Sequence, residues 1–567
     1  MRGFLVTSAV TACAATLTLP VLGAPGAVSA PARPAAAPPK APGAAPVRAP
    51  GAAPAQIPGA TYSLPLVPLP TAEGGGAATP GRAQAESAGT GVRGLRPRRV
   101  KPFSMVGIVW DDAGAELRGR AQVRTRAVGA RTWSGWQDVQ VQDHDRPDVD
   151  GSEARSGLRG ATAPLWVGAS DAIEVRVRPG AAAGRPAGSA TLPRGLRAEL
   201  VDPGSAPAAR PRSRAAAPAP DDEERATSAA NAPLAPLGAH EIPAATHRPT
   251  AEEVATLTAV APGASVSSSA TRDGRDGTGG TGGTGGTGST GDRFGAEEDA
   301  SAAEGQGSEG TDPGDASDAS TGTSAGTSAD TSGESGETSE TGVNGENGPS
   351  DSAADDDTDT GAVYAGHAGP RPRIVTRAGW GADESMRERG FVYTKKVKAA
   401  FVHHTASGNG YTCAQSPSVI RGIYRYHVVS SGWRDIGYNF LIDKCGTVYE
   451  GRAGGVAKPV KGAHTLGFNT NSMGIAVLGT YGTTSPAKAA VNAVAALTAW
   501  KLGLYNANPR GTTTLVSAGG NLFKKGAKVK LKVISGHRDG YSTECPGDRL
   551  YAKLGTARST AARLQGR

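Results

Sequence analysis

Aromatic residues are scarce in this 567-residue chain, at 5% of the total, and cysteine and methionine occur only four times each. At roughly 150 residues per domain the length alone would suggest about four domains. So few large apolar side chains, set among 81 glycines and 41 prolines, cannot bury the surface that four cores require. About half of the chain is therefore expected to lie outside packed domains. Long apolar runs are missing beyond the first two dozen residues, so no later segment is suited to crossing a bilayer. Even charge is missing too. The overall balance of +8 averages a tract at 291–360 with net charge −18 and a segment at 371–567 with net charge +20, which excludes a single evenly charged globule.

The N-terminus has a short positive start at Met1-Arg2, an apolar stretch from Phe4 to Leu22 broken by Pro20, and the small-residue run Ala27-Val28-Ser29-Ala30. That pattern reads as a signal peptide over 1–30, cut after Ala30, rather than a membrane anchor. Val10-Thr11-Ala12-Cys13 has the outline of a lipid-attachment box, but the apolar run before it is short and continues past it. Removal of the leader takes Cys13 with it and leaves Cys413, Cys445 and Cys545. An odd count in an oxidising compartment suggests one disulfide and one thiol with another task.

Residues 31–94 open Ala/Pro-rich and read as an extended spacer. Over 95–205, six short β-branched or alternating runs are separated by Gly, Asp and Pro turns: Phe103–Trp110, Ala121–Val128, Trp133–Val141, Leu165–Val167, Ile173–Val177 and Leu196–Val201. They predict a small all-β sandwich or barrel. Trp110, Trp133, Trp136 and Trp166 could stack on sugars, although tryptophans of a small β core are more often buried. Asp143, Asp145, Asp148 and Asp150 lack the alternation of a calcium loop and read as a solvated turn. Residues 206–370, with a Gly-Gly-Thr repeat at 278–288 and the acidic tract, read as a long disordered linker, with order returning near Arg373.

Residues 371–567 alternate strand and helix signals. Strands are predicted at Ala399–His404, Asn439–Asp443, Thr447–Glu450, Ser472–Gly479 and Lys532–Ser535, the fourth a continuous apolar run suited to the centre of a sheet. Helices are predicted at Pro417–Val429 and from a Ser485 cap with Pro486 at the first position to Leu502. The expected fold class is thus multidomain, with a C-terminal α/β domain of mixed central sheet flanked by helices behind the N-terminal all-β domain.

Chemistry concentrates in that last segment. His403-His404-Thr405 ends the first strand, Gly536-His537-Arg538-Asp539 follows a later one, and Cys545 comes eight residues after His537. Two imidazoles and a thiolate form a three-ligand zinc set with one position open, the pattern of a catalytic site. Taken singly, each is as well explained by a core histidine or a disulfide cysteine.

The ordered series around them carries more weight. Arg377-Ala-Gly-Trp380-Gly, Val402-His-His-Thr405, Trp433-Arg-Asp-Ile-Gly-Tyr438-Asn439, Gly462-Ala-His464, Asn471-Ser-Met-Gly-Ile475, Gly536-His-Arg538 and Glu544-Cys-Pro-Gly547 follow one another across roughly 373–560. The series resembles the peptidoglycan recognition protein family, the zinc-dependent N-acetylmuramoyl-L-alanine amidases of the second type. The β-rich segment resembles domains that precede wall-lytic domains in exported actinobacterial proteins, which assigns it no ligand.

The resemblance implies Zn2+ as cofactor, with His403, His537 and Cys545 as metal ligands. It implies Tyr438 as the catalytic hydroxyl beside the metal, Thr543 as a supporting hydrogen-bonding residue where some relatives have lysine, and His464 as a substrate-binding groove residue. His404 is left a local hydrogen-bonding role. With Cys545 given to the metal by this resemblance, Cys413 and Cys445 remain to pair, a link worth about 3–4 kcal/mol in the loop-entropy view. Family members that only bind peptidoglycan generally lack the metal cysteine, so its presence favours a hydrolase over a non-catalytic recognition protein. The implied partner is peptidoglycan. The basic lysines 524, 525, 528, 530 and 532 would add attraction to anionic wall polymers. Nucleic acid does not suit an exported protein, and a secreted, wall-associated monomer without a stable membrane anchor is expected.

Overall fold

The computed structural model describes residues 59–70, 91–141, 145–148, 156–181, 190–204, 221–260, 264–266 and 366–567. The predicted signal peptide, the first part of the spacer, the Gly-Gly-Thr repeat and the acidic tract lie outside the described residues.

Strands β1 (Ala60–Pro65), β2 (Val67–Pro68), β3 (Arg93–Trp110), β4 (Gly119–Ala127), β5 (Gln137–Val139), β6 (Gly160–Ala161), β7 (Leu165–Pro179) and β8 (Arg197–Asp202) form the N-terminal domain. They make one antiparallel sheet in the order β1-β8-β3-β7-β4-β5, with β2 and β6 joined to β3. The predicted runs at Leu165–Val167 and Ile173–Val177 are one strand, β7, and the spacer assigned to 31–94 contributes β1 and β2. Pairing of β1 with β8 and of β2 with β3 supplies the polar backbone partners that their sequence does not advertise.

The reason for the apolar density of β3 lies in its two faces. Side chains of a strand alternate between faces. Val106, Ile108 and Trp110 enter the domain's own core, whereas Met105 and Val109 join a second cluster with Ile420, Ile423, Tyr426 and Tyr438 of the C-terminal domain. Leu165 and Leu200 face the first core, and their neighbours Trp166 and Val201 the second. Trp110 and Trp166 are buried; Trp133 and Trp136 are half-buried beneath the guanidinium groups of Arg124 and Arg176.

Residues 221–260 do not belong to a linker. Helices α1 (Asp222–Ala229) and α2 (Ala251–Thr258) each open with a capping box, Asp221 with Glu224 and Thr250 with Glu253. Between them β9 (Glu241–Ile242) adds an edge strand, while Ile242, Val254 and Leu257 enter the C-terminal core. Buried polar contacts bind α1 and the turn after it: Thr227 donates to Glu384 at 3.0 Å, Asn231 to Glu450 at 2.8 Å, and Arg387 to Glu223 at 2.7 Å. Four or five apolar side chains in a polar stretch suffice because the larger domain supplies the rest of the core.

The remaining elements are β10 (Ser265–Val266), β11 (Ile374–Val375), α3 (Arg377–Trp380), β12 (Val392–Tyr393), β13 (Ala399–His404), α4 (Ser416–Arg425), β14 (Phe440–Ile442), β15 (Val448–Glu450), β16 (Ser472–Val477), α5 (Lys488–Gly503), β17 (Thr512–Val516), β18 (Lys528–Lys532), β19 (Ile534–Gly536), α6 (Asp548–Tyr551) and α7 (Leu554–Leu564). The central mixed sheet runs β19-β13-β16-β14-β15-β11-β9, with β19, β13, β16 and β14 parallel. Strand β16, apolar after Ser472, sits between β13 and β14 with every residue buried, as its sequence predicts. Helices α5 and α7 cover one face and α4 the other. Helix α5 begins two residues later than predicted: Ala487 is the extended cap residue, and Pro486 is buried ahead of it instead of opening the first turn.

Candidate metal centre and active site

Parallel strands bring their C-terminal ends to one edge of a sheet, where side chains from successive loops can converge. Here β13 ends at His403-His404, and its neighbour β19 runs directly into His537. After a short helical turn at 537–539 the chain folds back, with Arg538 N donating to the Cys545 carbonyl at 3.0 Å. The His403 and His537 ring centroids are 4.5 Å apart, and Cys545 Sγ lies 3.7 Å from His403 Nδ1. All three residues are buried.

The donor set fits a zinc ion. A tetrahedral shell with Zn–S of about 2.3 Å and Zn–N of about 2.05 Å has an S···N edge of about 3.6 Å. His403 Nδ1 and Cys545 Sγ already lie at that separation. Burial pushes the Cys545 thiol up, with nearby Asp145 adding to the effect, so a thiolate at this position requires a cation beside it.

Residues around the ligands fix their orientation. Thr465 Oγ1 lies 3.3 Å from His403 Nε2, a contact that holds the ring with Nδ1 toward the cysteine. The ring of His464 packs edge-on to His403 at 5.3 Å, with Nδ1 3.0 Å from Thr465 Oγ1. It is wholly buried. In this structure, with the β domain in place, the side chain packs behind His403. Gly474 makes room for it, since a Cβ there would come within 2.4 Å of His464 Cγ. His404 points to the other face of the strand, where its Nδ1 accepts from Tyr481 N at 3.2 Å; burial lowers its pKa to about 4 and keeps it neutral. Thr543 Oγ1 accepts from Cys545 N at 3.2 Å. Cys413 and Cys445 form a disulfide.

Tyr438 lies beside the cluster, buried, its ring 5.6 Å from that of His403. Burial, reinforced by Asp145, holds its hydroxyl well above the usual phenol range, so it is a hydrogen-bond donor at neutral pH. The acceptor is Asp145 Oδ2, at 2.8 Å. The other oxygen of that carboxylate is 2.9 Å from His403 Nδ1 and 2.8 Å from His537 Nδ1. Asp145, His403, His537 and Cys545 offer ligand atoms that all lie within 4.8 Å of one another. Burial opposes ionisation of Asp145, but the two imidazoles overcome it and hold the carboxyl well below its usual range.

The reading of Asp143, Asp145, Asp148 and Asp150 as a solvated turn is thus corrected for two of the four. Asp145 lies against the rings of His403 and His537, and Asp148 is buried, accepting from Gly467 N and Asn469 Nδ2 at 2.9 Å each with Lys461 Nζ at 3.4 Å. Asp143 and Asp150 lie outside the described residues. Thr465 and Asp145 are the site residues that sequence reasoning missed. Thr465 directly follows a quoted motif and was open to discovery; Asp145 belongs to another domain, and no local pattern marks it. The lysines of the hairpin β17–β18 stand where expected, Lys528, Lys530 and Lys532 exposed and alternating with buried Val529 and Leu531.

Comparison with known proteins places these features. Residues 393–548 match the family model for N-acetylmuramoyl-L-alanine amidase, which defines the C-terminal module as an amidase-type domain. Residues 54–219 match a family described as Rv3811 N-terminal galactose-binding domain-like. Peptidoglycan-recognition protein SC2 of Drosophila simulans is 33% identical over 183 residues, covering 32% of this chain and 85% of that protein. The N-acetylmuramoyl-L-alanine amidase of Homo sapiens is 32% identical over 190 residues, 33% of this chain and 28% of that protein. Among solved structures, Drosophila PGRP-LB aligns at 26% identity over 32% of this chain and 92% of that one, with a TM-score of 0.25. The chain belongs to the peptidoglycan-recognition protein family.

Proposed function

We propose that the chain is a secreted zinc-dependent N-acetylmuramoyl-L-alanine amidase that frees stem peptides from the glycan of peptidoglycan. The observation that carries this reading is the convergence of His403, His537 and Cys545 at one sheet edge with the Tyr438 hydroxyl beside them. Zinc held by those three side chains would supply a Lewis acid that polarises the scissile carbonyl and acidifies water at neutral pH. Tyr438, once its hydroxyl is released from Asp145, would donate a hydrogen bond to the oxyanion as water adds to the lactyl carbonyl carbon. The carbon–nitrogen bond then breaks, and the alanine amine leaves with a proton from the attacking water. Thr465 and His464 hold the His403 ring so that its Nδ1 stays on the metal side. No serine or cysteine nucleophile takes part. The exposed lysines of β17–β18 would gather the enzyme on anionic wall polymers.

The test is release of new N-terminal alanine from intact sacculi by the zinc-loaded full chain during prolonged incubation. Cys545→Ser is expected to abolish release and keep sedimentation with the sacculi. Undiminished release by that variant would refute the assignment.

A further inference from the structure

A hydrolytic metal site needs one ligand position open to water and substrate, whereas a site with four protein ligands is closed. The fourth donor in this structure comes from the other domain. Asp145 lies in the chain between β5 and β6, and its carboxylate touches both ligand histidines and the Tyr438 hydroxyl at once. We propose that Asp145 is a fourth zinc ligand supplied by the N-terminal domain, which closes the hydrolytic site and holds the chain in a latent form until that carboxylate is displaced. This rests on reading the site as a zinc hydrolase.

Three independent observations support the closure. The first is chemical and geometric. Carboxylate oxygen is a normal zinc donor, and ligand atoms at about 2.0–2.1 Å from a tetrahedral ion lie about 3.3 Å apart. Asp145 Oδ1 is 2.9 Å from one ring nitrogen and 2.8 Å from the other, at hydrogen-bond distance and a few tenths of an ångström inside that spacing, so only a small outward shift separates it from a shared metal shell. Its second oxygen engages the one hydroxyl placed to stabilise an oxyanion, so a single side chain occupies both positions that a reacting carbonyl would need.

The second is the anchoring of the flanking backbone. Asn469 Nδ2 donates to the Arg146 carbonyl at 3.1 Å, and Asp148 is held in the C-terminal domain by Gly467, Asn469 and Lys461. The β domain behind it is docked by main-chain bonds, Trp166 N to Ser407 O at 3.0 Å and Arg159 N to Ser431 O at 3.1 Å. Tyr426 OH donates to Thr162 O at 3.1 Å beneath a shared apolar cluster. An inhibitor tethered and oriented in this way competes at a high effective concentration.

The third is space. The cavity that borders Asp145 and Tyr438 on the side facing the β domain has a volume of about 30 Å³, room for one water and not for a sugar, and His403, His537 and Cys545 do not line it. Cavities of about 510 and 520 Å³ exist in the molecule, but they border α1 and α2, away from the metal ligands.

The experiment compares the full chain with Asp145→Ala and Asp145→Asn after loading with zinc or cobalt(II). Cobalt(II) reports its coordination through its visible absorption, independently of turnover, with acetohydroxamate as the probe for an open position. The wild-type spectrum is expected not to respond to the probe, whereas both variants change. Zinc transfer to a chromogenic chelator should be at least tenfold faster from Asp145→Ala, and alanine release from sacculi at least tenfold greater. If the wild-type spectrum responds to the probe as the variants do, and zinc leaves all three at one rate, the fourth-ligand assignment is overturned. If the spectra and zinc transfer change as expected but Asp145→Ala releases no alanine, the latch stands and the amidase reading falls. Release by the wild type equal to that of Asp145→Ala, with a probe-responsive wild-type spectrum, leaves the amidase and removes the latch.

Discussion

Acid should weaken this fold through His427, and the size of the effect follows from the side chain's surroundings. His427 lies in the π-helical turn at 426–430 that continues α4, only 4% exposed, with its ring stacked on Trp433 at 4.2 Å. Its Nδ1 accepts from Gly437 N at 3.2 Å, an arrangement that requires the neutral ring. Burial, with repulsion from Arg452, lowers its pKa to about 3 in spite of Asp145. In the unfolded chain an imidazole takes up its proton near pH 6.5, so the full stability is present above that value and is lost as pH falls toward the folded pKa. Between pH 7.5 and 5.0 this single group should remove about 2 kcal/mol, since about 1.4 kcal/mol is lost per pH unit below 6.5. His427→Asn keeps an acceptor for Gly437 and removes the titration. It should cost about 1 kcal/mol at pH 7.5 through the lost stacking, yet lose about 2 kcal/mol less than the wild type on going to pH 5.0. Urea unfolding followed by tryptophan fluorescence at the two pH values measures both quantities. Equal losses in the two proteins would show that His427 is not held neutral in the fold.

Other consequences are as direct. Thr465→Val removes the partner of His403 Nε2 and should weaken zinc binding by roughly 10–100-fold, read by chelator competition, with little change in thermal stability of the metal-free chain. Glu384→Gln leaves the buried guanidiniums of Arg377 and Arg387 short of a shared counter-charge; a loss of about 3–5 kcal/mol is expected, and a Tm shift below about 2 °C would refute that. Gly107→Ala would drive a Cβ to 2.3 Å from the Tyr426 ring, wedging the two domains apart. The expected result is a cobalt(II) spectrum that answers to acetohydroxamate although all four donor residues are intact.

Much of this was legible in the sequence because the C-terminal domain advertises itself locally. Strand β16 is a buried apolar run, His403 and His537 end strands that prove to be neighbours, and Cys545 follows at loop distance. Segment 221–260 was illegible for an averaging reason: its capping boxes are explicit, but a handful of apolar residues in a polar stretch looks like linker until another domain completes the core. His464 was placed by motif, which specifies position along the chain and not the direction of a ring. Asp145 could not be found at all, because its meaning depends on a contact 258 residues away in sequence. Charge and turn composition describe such an aspartate as solvated until a docking surface is known.

Strand β3 has a consequence for how the molecule comes into being. One row of its side chains, Met105 and Val109, together with Trp166 and Val201 of its neighbours, clusters with residues of the C-terminal domain from Trp380 onward, those of α4 among them. During synthesis the first domain emerges long before its cover, and it must travel with a sticky, half-finished surface until the last third of the polypeptide arrives. Excised by itself, the β domain should clump or recruit a chaperone. Neither module can be shuffled freely into a new gene without a replacement for that missing lid of apolar side chains.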